Sequence, residues 1–150
     1  MQSTTRITQP AAVSFAPSAT TWLKLAIAYL IVGVGFGIAM GANENFTLRP
    51  VHAHINLLGW TTMALAGLIY SVFPKAAASR LATIHFWLHN SAFPVMMASL
   101  TVLLLGDARA IPFLIAGEMV AAAGVIVFAC NIFFNVELDS ARSARTPQRA

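Results

Sequence analysis

Two pairs of histidines and one glutamate lie in stretches that otherwise read as hydrocarbon. Residues 49–60, "RPVHAHINLLGW", place His52 and His54 behind Arg49 and ahead of Asn56 and Gly59. Residues 84–90, "IHFWLHN", carry His85 and His89, and residues 111–120, "IPFLIAGEMV", carry Glu118. An ionisable side chain inside a bilayer is costly, so each of these asks for a partner or a task. Neutral imidazole brings a lone pair without a charge, which suits a metal in a low-dielectric setting, and it is the usual axial ligand of heme iron.

Spacing divides the two pairs. His52 and His54 are two positions apart, about 200° around a helix axis, and point to nearly opposite faces. They are poorly placed to chelate one ion together, but each can serve its own partner on its own side. His85 and His89 are four apart and share a face, the spacing at which two imidazoles grip one ion or sit in one pocket. Two ligands are too few to name a metal, and hydrogen bonds to neighbouring helices are the alternative. Asn56 falls one turn below His52 on the same face, and Gly59 and Gly67 thin the wall further down. Glu118, two turns into its run, is expected near the depth of His52 and His54, paired with a histidine or Arg49, or part of a proton path. Met63 reads as packing rather than a thioether ligand. The single cysteine, Cys130, excludes an intrachain disulfide and any multi-thiolate zinc or iron–sulfur site, and reads as a small core residue.

The elements that must position these residues follow from composition. Of 150 residues, 58% are hydrophobic and 9% charged, far from the ~25% charged residues of a soluble domain. Four apolar runs, at about 22–42, 51–73, 81–105 and 111–135, each reach the ~20 residues a helix needs to cross hydrocarbon. The expected fold is an all-α membrane protein: a four-transmembrane-helix bundle over residues 21–136, with a flexible arm at 1–20 and a basic tail at 137–150. Its first partner is the lipid bilayer.

Arg6, Lys24, Lys75, Arg80, Arg142, Arg145 and Arg149 fall on one side of such a bundle. The other side has Arg49 and Arg109, offset by Glu44 and Asp107. The positive-inside rule therefore puts both termini in the cytoplasm, and the net charge of +4 becomes a matter of topology rather than a sign of nucleic-acid binding. The first run follows a polar segment and exceeds an ordinary signal-peptide core, so it is expected to be a retained helix. Gly33, Gly37 and Gly41 leave one of its faces bare, for close packing on a helix, within the chain or across a dimer, or as room for a flat cofactor. Pro94 is expected to bend the third run near Asn90 and Ser91, whereas Pro112 sits in the first turn of the fourth, where it costs little.

The order "HAHINLLGW", "GLIY", "FPK" and "LATIHFWL", at residues 52–60, 67–70, 73–75 and 81–88, resembles the tenth and eleventh helices of the catalytic subunit of heme-copper oxidases. The C-type (cbb-type) branch and its nitric oxide reductase relatives are the most similar. The resemblance covers roughly residues 49–88, about a quarter of the chain. It implies that His52 resembles the high-spin heme ligand and His54 the low-spin ligand, each on its own face of one helix. It implies one or two b-type hemes, quinol or a cytochrome c as electron-exchange partner, a homo-oligomer or a larger respiratory complex, and the bacterial inner membrane. His85 matches the family's His-Phe-Trp-Leu stretch, where no axial ligand is expected, and His89 has no counterpart. The family's catalytic subunit also brings three copper-site histidines, a further low-spin heme ligand and a cross-linked tyrosine. This chain has four histidines in all and only Tyr29 and Tyr70. Oxygen reduction by this chain alone is therefore not expected. The implied work is electron transfer or the handling of O2 or NO, with a copper- or heme-binding sensor or assembly subunit as the alternative.

Overall fold

The computed structural model describes residues 17–136. Most of the N-terminal arm and the whole basic tail lie outside the described residues. Four long helices, α1 (Pro17–Ala42), α2 (Arg49–Val72), α3 (Arg80–Leu104) and α4 (Ile111–Asn135), make up nearly all of it, with no strand among the described residues. All four are long and apolar enough to cross a bilayer, and the chain is a multi-pass membrane protein. Mean hydropathy is 2.1 and 2.2 for the outer two spans but 1.4 and 1.2 for α2 and α3. The middle pair is less apolar because it carries all four histidines.

Local chemistry sets the boundaries. α1 begins at Pro17, five residues before the apolar run, because proline is well suited to the first turn of a helix. Pro50 and Pro112 open α2 and α4 in the same way. A single helical turn, Pro74–Ala77, links α2 to α3. Ser79 then caps α3 by accepting a hydrogen bond from the amide of Ala82 at 3.1 Å. At the other end of α3, Gly106 takes φ 104° while the Asp107 amide reaches back to the Val102 carbonyl at 3.2 Å. This bond closes the helix with a left-handed residue that a side chain would disfavour. Beyond it, Arg109 holds the carboxyl of Asp107 below the usual carboxylate range. Helix α3 runs on through Pro94, and one turn earlier Asn90 and Ser91 turn their side chains onto the carbonyls of Phe86 and Trp87.

Small residues decide which helices touch. Gly33 and Gly37 of α1 lie against Asn56 and His52 of α2: an added Cβ would come within 2.6 Å of the Asn56 Oδ1 and 3.0 Å of the His52 Cε1. That glycine face is therefore filled by side chains of α2 rather than left open for a flat cofactor, and Gly41 meets nothing within 4 Å. Gly117 and Gly124 of α4 admit Met96 and Leu88 of α3. Two apolar clusters fill the interior. One, around Trp22, Met63, Tyr70 and Ala82, lies at the end where residues 17 and 136 emerge, and the other, around Val51, Ile55, Phe93 and Met96, lies toward the far end. Met63 is fully buried in the first cluster, a packing role. Large side chains such as Ile31, Phe133 and Phe134 stay on the outside, where lipid covers them.

Gly59 gives a direct test of this packing. A Cβ there would meet Phe93 Cε1 and Tyr29 Cβ, both at 2.9 Å and on two different helices. Gly59→Ala is expected to cost about 1–3 kcal/mol through overpacking, read as a lower thermal midpoint of the detergent-solubilised protein. Gly35→Ala, with nothing within 4 Å, is expected to lose no stability; equal losses in both variants would contradict the packing.

Candidate functional site

The second helix is not α-helical throughout. Arg49–His54 and Met63–Val72 are α-helical, and Ile55–Thr62 between them is a π-helix. Its wider turn is completed by side chains. The hydroxyls of Thr61 and Thr62 donate to the carbonyls five residues back, those of Asn56 and Leu57, at 3.0 and 2.8 Å. The next carbonyl, that of Leu58, lies 3.2 Å from His89 Nε2. Such widened turns are rare and recur at functional sites. Neither periodicity nor composition announces this one, although adjacent threonines just after Gly59 are a signal that could have suggested it.

His52 and His54 stand at the far-end entrance to this segment, on different sides. His52 turns inward: its Nδ1 lies 2.9 Å from the carbonyl of Gly33, and its ring rests on Gly37. A carbonyl can only accept, so Nδ1 carries the ring proton. Asn56 stands one turn on, and its amide donates to the His52 carbonyl at 2.8 Å while packing on Gly33. His54 turns outward and is exposed, with Nδ1 2.7 Å from the carbonyl of Pro50. The same argument puts its proton on Nδ1 and leaves the Nε2 lone pair directed away from the helix. Among the described residues nothing hydrogen-bonds to that nitrogen.

The other pair is enclosed. His85 and His89 are both buried, with ring centroids 6.0 Å apart. His85 lies between Trp22 and Phe128, each 4.7 Å away, and His89 stacks on Phe93 at 6.0 Å. A polar chain reaches this pair from the terminal end. Asn131, fully buried, accepts from Ser79 and Asn135 and donates to the carbonyl of Ala76 and to Tyr70 Oη. With that hydroxyl oxygen accepting from Asn131, the Tyr70 O–H donates to His85 Nδ1 at 3.0 Å. Asn131 thus uses two donors and two acceptors, its full capacity. Sequence reasoning passed over Asn131; its signal is an amide inside the most apolar run, with Asn135 one turn further.

Several placements differ from the sequence expectations. Gly59 does not thin a wall: Tyr29 and Phe93 close over it. Glu118 and Arg49 are both exposed and form no ion pair with each other; Arg49 instead lies over the ring of Phe46 at 5.2 Å. The contact with Leu58 brings His89 to a level only four residues below His54, about 6 Å along the helix. The two imidazoles nonetheless face different ways, one enclosed and one outward, and cannot clamp one flat ligand. Cys130 is half-buried and free. Among the described residues no three of His, Cys, Asp and Glu gather closely enough to hold a metal ion. A crevice of about 620 Å³ lies at the far end between α1, the loop after it and Leu105, and no histidine lines it.

Of the four imidazoles, then, only His54 combines an exposed ring with a basic nitrogen held clear of its own chain. Its Nδ1–H bonded to a backbone carbonyl is the arrangement that fixes the tautomer and orientation of metal-bound histidines. His54 is therefore the imidazole that could hold a group on the outside of α2, while helix α1 covers His52. No protein-family model, curated protein or solved structure matches this chain.

Proposed function

We propose that this chain is a small b-type hemoprotein of the bacterial inner membrane, with both termini in the cytoplasm and His54 as its own axial ligand. The observation that carries the reading is the free Nε2 of His54, presented at the surface with Nδ1 tied to the carbonyl of Pro50. The resemblance of residues 49–88 to heme-copper oxidase helices supports it, and the distribution of basic residues supports the orientation. Heme, when bound, supplies one-electron transfer and diatomic-gas binding. The chain's contribution is to hold the imidazole in one tautomer and to raise its basicity through the Nδ1–H bond. Leu57 and Thr61 share the exposed side of α2 with His54, and the Thr61 hydroxyl is turned onto the carbonyl of Asn56, which keeps that surface apolar. His52 serves α1 instead, locking it to α2 through Gly33.

In this reading the work is electron transfer or O2 or NO handling, with quinol or a cytochrome c as exchange partner, in a homo-oligomer or a larger respiratory complex. The enclosed His85 and His89, 6.0 Å apart, favour a second reading, a copper- or heme-binding sensor or assembly subunit without turnover.

The deciding experiment is a reduced-minus-oxidised spectrum with a pyridine hemochrome assay on protein purified in detergent from heme-replete cells. A b-type spectrum at a fixed ratio of heme to chain is the expected result. No Soret band in any preparation overturns the reading.

A further inference from the structure

Glu118 is the acidic side chain placed deepest in a span, and it is turned outward. It lies seven residues into α4, about 10 Å along the helix from its start. It is exposed, and no described residue hydrogen-bonds or ion-pairs with it. The inward stripe of α4 is narrow: Gly117, Gly124 and Asn131 recur every seven residues and pack on α3 and the end of α2. Roughly 140° around the helix from that stripe, a second line recurs at alternating intervals of four and three: Ile111, Ile115, Glu118, Ala122, Val125 and Ala129. This is the spacing of a helix–helix seam, with one polar residue among apolar ones, the pattern by which such seams fix register. Lipid can cover the apolar members, but it offers a carboxyl neither donor nor acceptor.

We propose that this seam of α4 packs against the same seam of a second copy, in parallel, with the two Glu118 carboxyls hydrogen-bonded across the contact. The argument for a second copy is complementarity. A carboxylic acid both donates and accepts, so another completes it. A two-fold axis along the membrane normal puts each residue opposite itself at one depth, which supplies that partner automatically. Ala122, one turn below Glu118, leaves space for the backbones to approach. The proposal is independent of the heme reading, because none of its residues touches His52 or His54.

The test uses the full chain in its membrane, with Cys130→Ser to remove the native thiol. Ala122→Cys is expected to give a disulfide-linked dimer on mild oxidation, and Ala123→Cys, equally exposed but turned about 100° away, only background. Adding Glu118→Ala is expected to lower the Ala122→Cys dimer yield about 5- to 30-fold, the range one polar interhelical contact supplies. Glu118→Gln, still donor and acceptor, is expected to retain it. Equal yields at 122 and 123, a yield indifferent to Glu118→Ala, a Gln variant as weak as Ala, or an adduct with another protein each overturns the proposal.

Discussion

His54→Ala is expected to abolish the b-type absorbance of the purified protein, at least a tenfold loss of heme per chain, whereas His52→Ala keeps it. The expectation follows from where the two basic nitrogens are. Both rings carry their proton on Nδ1, donated to the carbonyl of Pro50 for His54 and of Gly33 for His52. That leaves Nε2 as the ligating atom in each case. For His54 the nitrogen stands at an exposed surface, so a flat ligand can approach without moving the backbone. For His52 the ring already lies on Gly37 of α1, so iron could reach it only if α1 separated from α2. The cost of His52→Ala is therefore one of packing, a lost helix-to-helix hydrogen bond worth about 1 kcal/mol, read as a lower thermal midpoint with the spectrum intact. The measurement is heme per chain and midpoint for both variants. Loss of absorbance with His52→Ala and retention with His54→Ala would reverse the assignment. Retention in both would remove α2 from the heme site altogether.

The two histidines of α2 also show what was legible in the sequence. An i, i+2 pair on a helix must diverge, and that alone separates a side facing α1 from a side facing outward. The four spans were legible for the same kind of reason: uninterrupted apolar runs of this length have few other uses, and the observed helices differ from them by a few residues at their ends. The π-helical stretch was not legible, because what completes it is partly remote. Thr61 and Thr62 supply two of the side-chain bonds from the same helix, but the third comes from His89, 31 residues away. The enclosed pair was half legible. Spacing put His85 and His89 on one face, but only the packed structure brings Trp22, Phe128 and Phe93 around them and sets Tyr70 and Asn131 in line. The glycine pattern of α1 indicated a close approach without naming the side chains, His52 and Asn56, that occupy it.

Trp22→Ala is expected to destabilise the folded protein by about 3–5 kcal/mol, the range for emptying a fully buried indole site. Trp22 is fully buried and stands where α1 reaches across to α3, with its ring 4.7 Å from His85, 5.2 Å from Phe86, 5.6 Å from His89 and 6.3 Å from Tyr70. Gly67 exists in part to admit it: a Cβ there would lie 3.0 Å from the Trp22 Cβ. Within a bilayer, lipid tails are as apolar as the interior, so helices are held together by close contact rather than by exclusion from water. Removing the indole deletes the contacts of four neighbours at once and leaves a void beside two imidazoles. Trp87→Ala, 66% exposed on the neighbouring face of α3, is expected to change stability by about 0.5 kcal/mol or less. Denaturant titration of both variants in the same detergent measures the difference, and comparable losses would contradict the burial. The same samples separate the two histidine pairs. His54 lies outside the cluster that Trp22 fills, so the heme-to-chain ratio of folded Trp22→Ala is expected to equal that of the parent. A ratio that falls with stability would move the heme from the outer face of α2 to the enclosed pair.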